Sequence, residues 1–310
     1  SGVAKSIEEI KFAIENDILS INVESVGEFK RIIQISEELN KAVNCALRIN
    51  PDISTGSHEY IETGKKTSKF GLDSQAIRTI SELAMKSELT KITTIASHIG
   101  SQISDESLIL DSLDSMIDVA EELSRRGHHI ENLDIGGGLG IKYKDENEGD
   151  PKTLIDKVKN RLQSTDYKLI LEPGRSVVAS SGILATKIEY IKQAGDKKFA
   201  IIDAGMNDLI RPSLYAAWHA VKEVEAKDIE SETYDLAGPV CETGDVLAKD
   251  RELKIRPDDY VVFMDVGAYG SVMSSNYNSR LKPLELLITG DKIKVIKRRE
   301  CFEDLIYLES

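Results

Sequence analysis

Apolar positions in the first 175 or so residues alternate between a helical and a strand-like period. Ser6 opens a predicted helix, with Glu9 three residues on at the spacing of a capping box. Ile21-Asn22-Val23 reads as a short strand, and 25–39 as a helix in which Glu28 completes a second capping box after Ser25. A strand over 45–49, a helix over 75–87 and a strand over 93–99 follow. Leu113, Ile117, Ala120 and Leu123 then mark one face of a long helix. Leu133 begins a strand that runs into glycines, Pro151 suits the first turn of another helix, and 168–171 is the next strand.

Repeated βα argues for parallel strands with helices outside. Five such strands fall near 21, 46, 96, 134 and 170. After about 178 the texture changes to short apolar or alternating runs at 183–191, 199–203, 234–237 and 260–264. Ile288, Ile293, Val295 and Tyr307 belong to the last such runs. The predicted domains are therefore 1–177, of βα type, and 178–310, mostly β. The acidic stretch 142–151 reads as a solvated loop.

Composition narrows the setting. The chain of 310 residues is 41% hydrophobic and 30% charged, as soluble proteins are. A net charge of −13 argues against nucleic acid or an anionic membrane as a general partner, while leaving local groups able to bind an anionic cofactor. No apolar run approaches a membrane span, and no secretory signal is recognisable. Cys45, Cys241 and Cys301 are far apart and odd in number, which suits a reducing cytoplasm.

Several short motifs offer chemistry. The loop Gly-Pro-Val-Cys-Glu-Thr-Gly-Asp at 238–245 sets the thiol of Cys241 beside the carboxylate of Glu242; alone, it is equally a simple turn. Glycines at 136, 137, 138 and 140 follow a strand, so their backbone can approach a phosphate or merely form a tight βα turn. A dinucleotide fingerprint would need glycine at 141, where Ile141 stands, and a Walker lysine is lacking. Glu172, in Glu172-Pro173-Gly174-Arg175, ends a strand, as does His98; each is either a site residue or an ordinary surface or structural one. Arg175 can grip a carboxylate or sit in a solvated salt bridge. Arg211-Pro212-Ser213-Leu214-Tyr215 offers a guanidinium and a phenol. His58, His128, His129 and His219 carry no comparable signal, and the adjacent pair at 128–129 lacks metal-site spacing.

Taken in order, six segments resemble the diaminopimelate decarboxylase family, pyridoxal-phosphate (PLP) enzymes of the alanine-racemase-like, fold-type III group. They are 97–102, 136–140, 172–175, 211–215, 238–245 and Asp265-Val266-Gly267-Ala268-Tyr269-Gly270. The resemblance implies an α/β fold, a PLP-binding (β/α)8 TIM-type barrel, partial here, followed by a mostly β C-terminal domain. It implies that His98 stacks on the cofactor ring and that Glu172 pairs with the pyridine nitrogen. Ser101, Gly136, Gly137, Gly138, Gly174 and Arg175 would lie at the phosphate, and Tyr269 would touch both cofactor and substrate. Arg175, Arg211, Tyr215 and Glu242 would contact substrate, with Arg211 and Glu242 suiting the far carboxylate and far ammonium of a diamino diacid. Cys241 would protonate the carbon left by carbon dioxide; a thiol, with an ordinary pKa of about 8.5, is mostly protonated at neutral pH.

The implied reaction is decarboxylation of meso-2,6-diaminopimelate to L-lysine, in a homodimer with shared active sites. Arg-Pro-x-Leu-Tyr and the glutamate after the cysteine favour this substrate over ornithine, whose decarboxylases usually carry aspartate there. Ornithine, arginine or carboxynorspermidine decarboxylation is the rival reading, and a non-catalytic regulatory homologue the third. Lys69-Phe70-Gly71 also matches a recurring family segment, without an assigned role. One departure stands out. The family holds its cofactor as a Schiff base to a lysine in a Tyr-x-x-Lys setting, and no lysine here has that context; Lys5 belongs to a later segment. At roughly 30 residues per βα unit, about three units and that lysine are expected ahead of Ser1.

Overall fold

The computed structural model describes residues 1–53, 55, 69–146 and 149–309, so His58 and part of the 142–151 loop lie outside it. The chain divides into two units, 1–141 with 147–176, and 142–146 with 177 onward. Residues 142–146, read from sequence as part of the first domain, thus group with the second.

In the first unit α1 (Ile7–Glu15), β1 (Ile21–Val23), α2 (Val26–Leu39), β2 (Val43–Arg48) and α3 (Ser74–Ala84) come first. They are followed by β3 (Thr90–Ala96), α4 (Glu106–Arg125), β4 (Asn132–Asp134), α5 (Pro151–Leu162) and β5 (Lys168–Ile170). The five strands form one sheet in chain order, every pair parallel. Parallel ordering places all carboxyl ends on one edge, where sites form in βα folds. A closed barrel of this kind takes eight strands.

Local sequence explains the helices. Ser6 accepts from the Glu9 N–H while Glu9 accepts from the Ser6 N–H, a complete capping box. The box expected at Ser25 is half formed. Ser25 accepts from the Glu28 N–H, but the Glu28 carboxylate reaches past the cap to the Glu24 N–H and also pairs with Lys5 at 2.9 Å. Asp73 and Asp150 cap α3 and α5. Phe29, Ile32, Ile80, Leu113 and Met116 project from the helices onto Val23, Leu47 and Ile95 of the sheet, all essentially fully buried. Each such side chain contributes about 1.5–3 kcal/mol.

The second unit holds β6 (Leu184–Ala194), β7 (Lys197–Ile202), α7 (Arg211–Tyr215), β8 (Val221–Glu223), β9 (Glu232–Ala237), β10 (Val246–Leu253) and β11 (Tyr260–Phe263). These strands form a sheet in the order β10-β9-β7-β6-β11-β8, antiparallel except between β7 and β9. Ile188, Ile202, Leu236, Leu247, Val261 and Phe263 form its core. A separate hairpin of β12 (Glu285–Thr289) and β13 (Lys292–Lys297) follows. Tyr307, read as strand-like, instead follows a short helix, α8 (Phe302–Ile306).

Candidate functional site

The first cluster lies on the carboxyl edge of the parallel sheet. Past β3 the chain runs through 97–103, past β4 through 135–141, and past β5 through 171–175, where a one-turn helix, α6 (Arg175–Val178), begins. Backbone bonds stitch the three together: Ser97 N–H to Asp134 O at 2.8 Å, Ile103 N–H to Gly138 O at 2.8 Å, and Glu172 N–H to Gly136 O at 2.8 Å. The Gln102 amide clasps the Ile141 backbone, donating to its carbonyl at 2.6 Å and accepting from its N–H at 3.3 Å.

This closeness is what the glycines permit. Gly136 and Gly138 have left-handed φ of +66° and +94°. Gly137 does not, but a Cβ there would lie 2.1 Å from the Glu172 carbonyl oxygen, and one at Gly138 would lie 2.1 Å from that of Gly100. At Gly174 the situation reverses: an added Cβ would meet no protein atom within 4 Å.

Side chains converge on the same edge. His98 Nδ1 accepts from the Gly137 N–H at 3.2 Å, so the neutral ring carries its proton on Nε2. Burial, helped by the Arg48 charge and opposed by Glu172, holds its pKa below the ordinary histidine range, so the ring is neutral at pH 7. Arg175, 6% exposed, donates through Nη2 to Ser101 Oγ at 3.1 Å. Glu172 is exposed and accepts from Ser1 Oγ at 3.4 Å. His98, Ser101, Gly136, Gly137, Gly138, Glu172 and Arg175 therefore share one edge. Two further groups there carry no family motif. Asp134 accepts from the Gly136 N–H at 3.0 Å, and burial, with the Glu172 charge, pushes it up to about 6. Glu24, at the end of β1, pairs with Arg48 at 2.6 Å and accepts from the Gly71 N–H at 2.9 Å, while Arg48 covers the Phe70 ring at 4.7 Å. The 69–71 segment thus docks on the sheet edge through Glu24 and Arg48. A carboxylate between Leu133 and Ile135, just before glycines, was the available sequence signal for Asp134.

These residues suit PLP. A glycine turn that excludes any Cβ, a serine hydroxyl beside a buried guanidinium, and a neutral imidazole match a phosphate and an aromatic ring.

The second cluster belongs to the second unit. Neither Gly238 nor Gly244 has left-handed φ, so a left-handed backbone is not why the loop carries these two glycines. A Cβ at Gly238 would lie 2.4 Å from the Asp245 carboxylate. That buried carboxylate accepts the N–H groups of Val240 and Met206, each at 2.6 Å, and so fixes the loop from inside. Ser213 Oγ, on α7, donates to the Gly244 carbonyl at 2.8 Å. Cys241 and Glu242 are left exposed. Tyr277 donates its phenol to Glu242 Oε1.

Arg211 is 5% exposed. Its Nη1 donates to His219 Nε2 at 2.7 Å, because His219 Nδ1 donates to the Met264 carbonyl at 2.8 Å and fixes the tautomer. Its guanidinium lies over the Tyr143 ring at 4.8 Å, with His219 edge-on to that ring at 5.3 Å. Tyr143 is buried, so the 142–151 loop is not wholly solvated as its charges suggest. Tyr215 ends α7, half-buried, and Tyr269 is exposed with a left-handed φ of 59°. Asp265 is likewise left-handed at 58°; such strain in non-glycine residues clusters at functional sites. Sequence reading missed Tyr143, His219, Asp245 and Tyr277, none of which sits at a motif position that advertises its partner.

The family "Pyridoxal-dependent decarboxylase, pyridoxal binding domain" matches residues 1–179. Diaminopimelate decarboxylase of Haemophilus influenzae is 45% identical, covering 100% of this chain and 75% of that protein. The Aquifex aeolicus protein of that name is 42% identical, over 99% of this chain and 73% of its own. Among solved structures, Helicobacter pylori diaminopimelate decarboxylase complexed with L-lysine superposes with a TM-score of 0.95 at 41% identity, covering 99% of this chain and 77% of that one. A Chlorella virus arginine decarboxylase, 21% identical over 89% of this chain and 73% of its own, shares the fold with a TM-score of 0.77.

Proposed function

Because this chain belongs to the diaminopimelate decarboxylase family of pyridoxal-dependent enzymes, we propose the following division of labour among its residues. The reaction is decarboxylation of meso-2,6-diaminopimelate to L-lysine and carbon dioxide. When bound, PLP supplies an electron sink for the charge that departing carbon dioxide leaves behind. The glycine turn at 136–138, Ser101, Gly174 and Arg175 hold its phosphate. His98, kept neutral by burial, offers a flat face to the ring without competing for its charge. Glu172 keeps the pyridine nitrogen protonated, which maintains the sink.

Arg175 and Tyr269 serve substrate as well as cofactor. Arg211 and Tyr215 take the far carboxylate, and Glu242 the far ammonium. Cys241 delivers the proton to the carbon that lost its carboxyl group. We further infer a two-fold homodimer in which the Cys241–Glu242 loop of each subunit serves the cofactor held by its partner. Three unpaired thiols suit a reducing cytoplasm, which cell fractionation would check. Among the described residues, no helix is long and apolar enough to cross a membrane.

One observation carries the cofactor reading: the glycine turn packs so tightly on the carbonyls of Gly100 and Glu172 that it gathers His98, Arg175 and Ser101 on one strand-end edge. The test of the reaction is carbon dioxide release by the holoenzyme from meso-diaminopimelate, ornithine, arginine and carboxynorspermidine. Diaminopimelate should be turned over with the highest kcat/KM. Faster release from any of the others would replace the substrate, and release from none would favour a regulatory protein.

A further inference from the structure

Tyr277 belongs to none of the motifs that mark the site, yet it is the residue that engages Glu242. The turn that carries it is elaborately fixed. Asn278 and Ser279, immediately after it, both have left-handed φ of 54°, an unfavourable conformation for two consecutive non-glycine residues. Strain of this kind persists only where the surroundings over-determine it. Here they do. Arg280 donates through Nε to Asn207 Oδ1 at 3.0 Å and through Nη2 to the Asp203 carbonyl at 2.6 Å. Asn276 donates to the Arg280 carbonyl at 2.9 Å and to the Glu300 carboxylate at 2.6 Å. The Ser275 N–H bonds the Asn207 carbonyl at 2.9 Å.

That clamp does not bury Tyr277, which remains 45% exposed, so packing of the ring is not what the strain secures. What it secures is the direction of the phenol. The hydrogen bond to Glu242, followed by the charge of that carboxylate and a smaller contribution from Cys241, holds the Tyr277 phenol above its ordinary range. It therefore stays a donor throughout the physiological range. A carboxylate offers about four lone-pair sites, so one phenol engages Oε1 and leaves acceptors for a second donor.

We propose that Tyr277 is a positioning residue that orients the Glu242 carboxylate toward the distal ammonium of the substrate, and so sharpens the preference for a diamino diacid. This rests on the reading of Glu242 as the distal-ammonium group. Tyr277 touches no reacting atom in this account; it acts through Glu242.

Tyr277→Phe removes only the hydroxyl. In the holoenzyme it should raise KM for meso-diaminopimelate about tenfold, the order of one charge-assisted hydrogen bond, with kcat within about twofold. Cofactor content and thermal stability should match the parent. Glu242→Gln should raise KM by more, and the double variant should be no worse than Glu242→Gln alone, because the tyrosine has nothing left to orient. If Glu242→Gln raises KM while Tyr277→Phe leaves it unchanged, or if the two effects add, the proposal for Tyr277 fails and that for Glu242 stands. If Glu242→Gln leaves KM unchanged, the distal-end reading falls and takes this proposal with it. Loss of cofactor or stability in Tyr277→Phe commensurate with the rise in KM would make the residue structural only.

Discussion

The turn at 136–138 and the loop at 238–245 are both rich in glycine, yet glycine serves them differently. At 136–138 it lets backbone meet backbone: two residues are left-handed, and the third abuts the Glu172 carbonyl. We propose that this turn holds a cofactor that every turnover reuses. At 238–245 glycine makes room for a side chain, the Asp245 carboxylate, which holds the loop from within while Cys241 and Glu242 stay exposed. A phosphate is recognised well by converging N–H groups. A substrate that differs from its neighbours in its far end needs side chains of chosen charge instead. The two regions also share a device, a buried carboxylate accepting backbone N–H groups of the turn: Asp134 under the first and Asp245 under the second.

If the regions divide labour in this way, Cys241→Ala should leave cofactor binding intact and cost turnover about 10²–10⁴-fold, the usual contribution of a general acid. The carbon would still lose its carboxyl group, but proton delivery would fall to water. Glu172→Ala should be inactive for the opposite reason, loss of the pyridine partner. Mixed and allowed to exchange, these two variants should regain up to about a quarter of parental activity, since half of the dimers are mixed and each holds one intact site of two. Normal turnover by Cys241→Ala would remove the thiol from the mechanism. Absence of recovery despite proven exchange would mean that each chain completes its own site.

Gly137→Ala is the converse probe. Its Cβ would lie 2.1 Å from the Glu172 carbonyl oxygen, an overlap that only backbone movement relieves. Overpacking of this kind costs about 1–3 kcal/mol, and the movement parts the strand ends on which His98 and Glu172 stand. Affinity for PLP should drop about 100-fold, read by spectroscopic titration, with KM for diaminopimelate little changed once the cofactor is saturating. Gly174→Ala is the control: it meets no protein atom, so it should leave stability alone and weaken PLP only through the cofactor itself. Unaltered PLP affinity in Gly137→Ala would dissolve the contrast drawn between the two turns.

Legibility followed the same divide. The βα alternation of the first unit was readable because its helices carry a strong apolar stripe and polar caps, as at Ser6 and Asp150. Strand β10 was not. Its residues 249–252 are all charged, and the register shift beside left-handed Asp250 breaks the alternation that marks a strand. Within the candidate site, the proposed residues stand out only through resemblance, whereas the residues that hold them carry no signal at all. Tyr143 reaches Arg211 from 68 positions earlier in sequence, and Tyr277 reaches Glu242 across 35. Such pairings are set by tertiary folding, and no local period encodes them. Asp245 stands in the motif itself, but its role depends on the vacant Cβ direction of Gly238, which no local pattern encodes.

The shared buried carboxylate gives the finest test of the comparison. Asp134 is 5% exposed, and burial, followed in the same direction by the Glu172 charge, lifts it from 3.8 to about 6 against the pull of its bond to Gly136. A carboxyl whose pKa is higher folded than unfolded stabilises the fold most when protonated. That contribution is full below about pH 4 and is lost as pH rises through about 6. Asp134→Asn keeps an oxygen for the Gly136 N–H and removes the titration. The variant should therefore gain on the parent as pH rises from 4 to 7, by on the order of 2 kcal/mol in urea unfolding. Asp245 is raised by burial as well, so Asp245→Asn should gain in the same direction. It surrenders more in exchange, because Asp245 accepts two backbone donors through separate oxygens and an amide can accept through only one. A pH-independent offset for Asp134→Asn would show that its carboxylate ionises in the folded protein as readily as in the unfolded chain, and the parallel between the two turns would then be geometric alone.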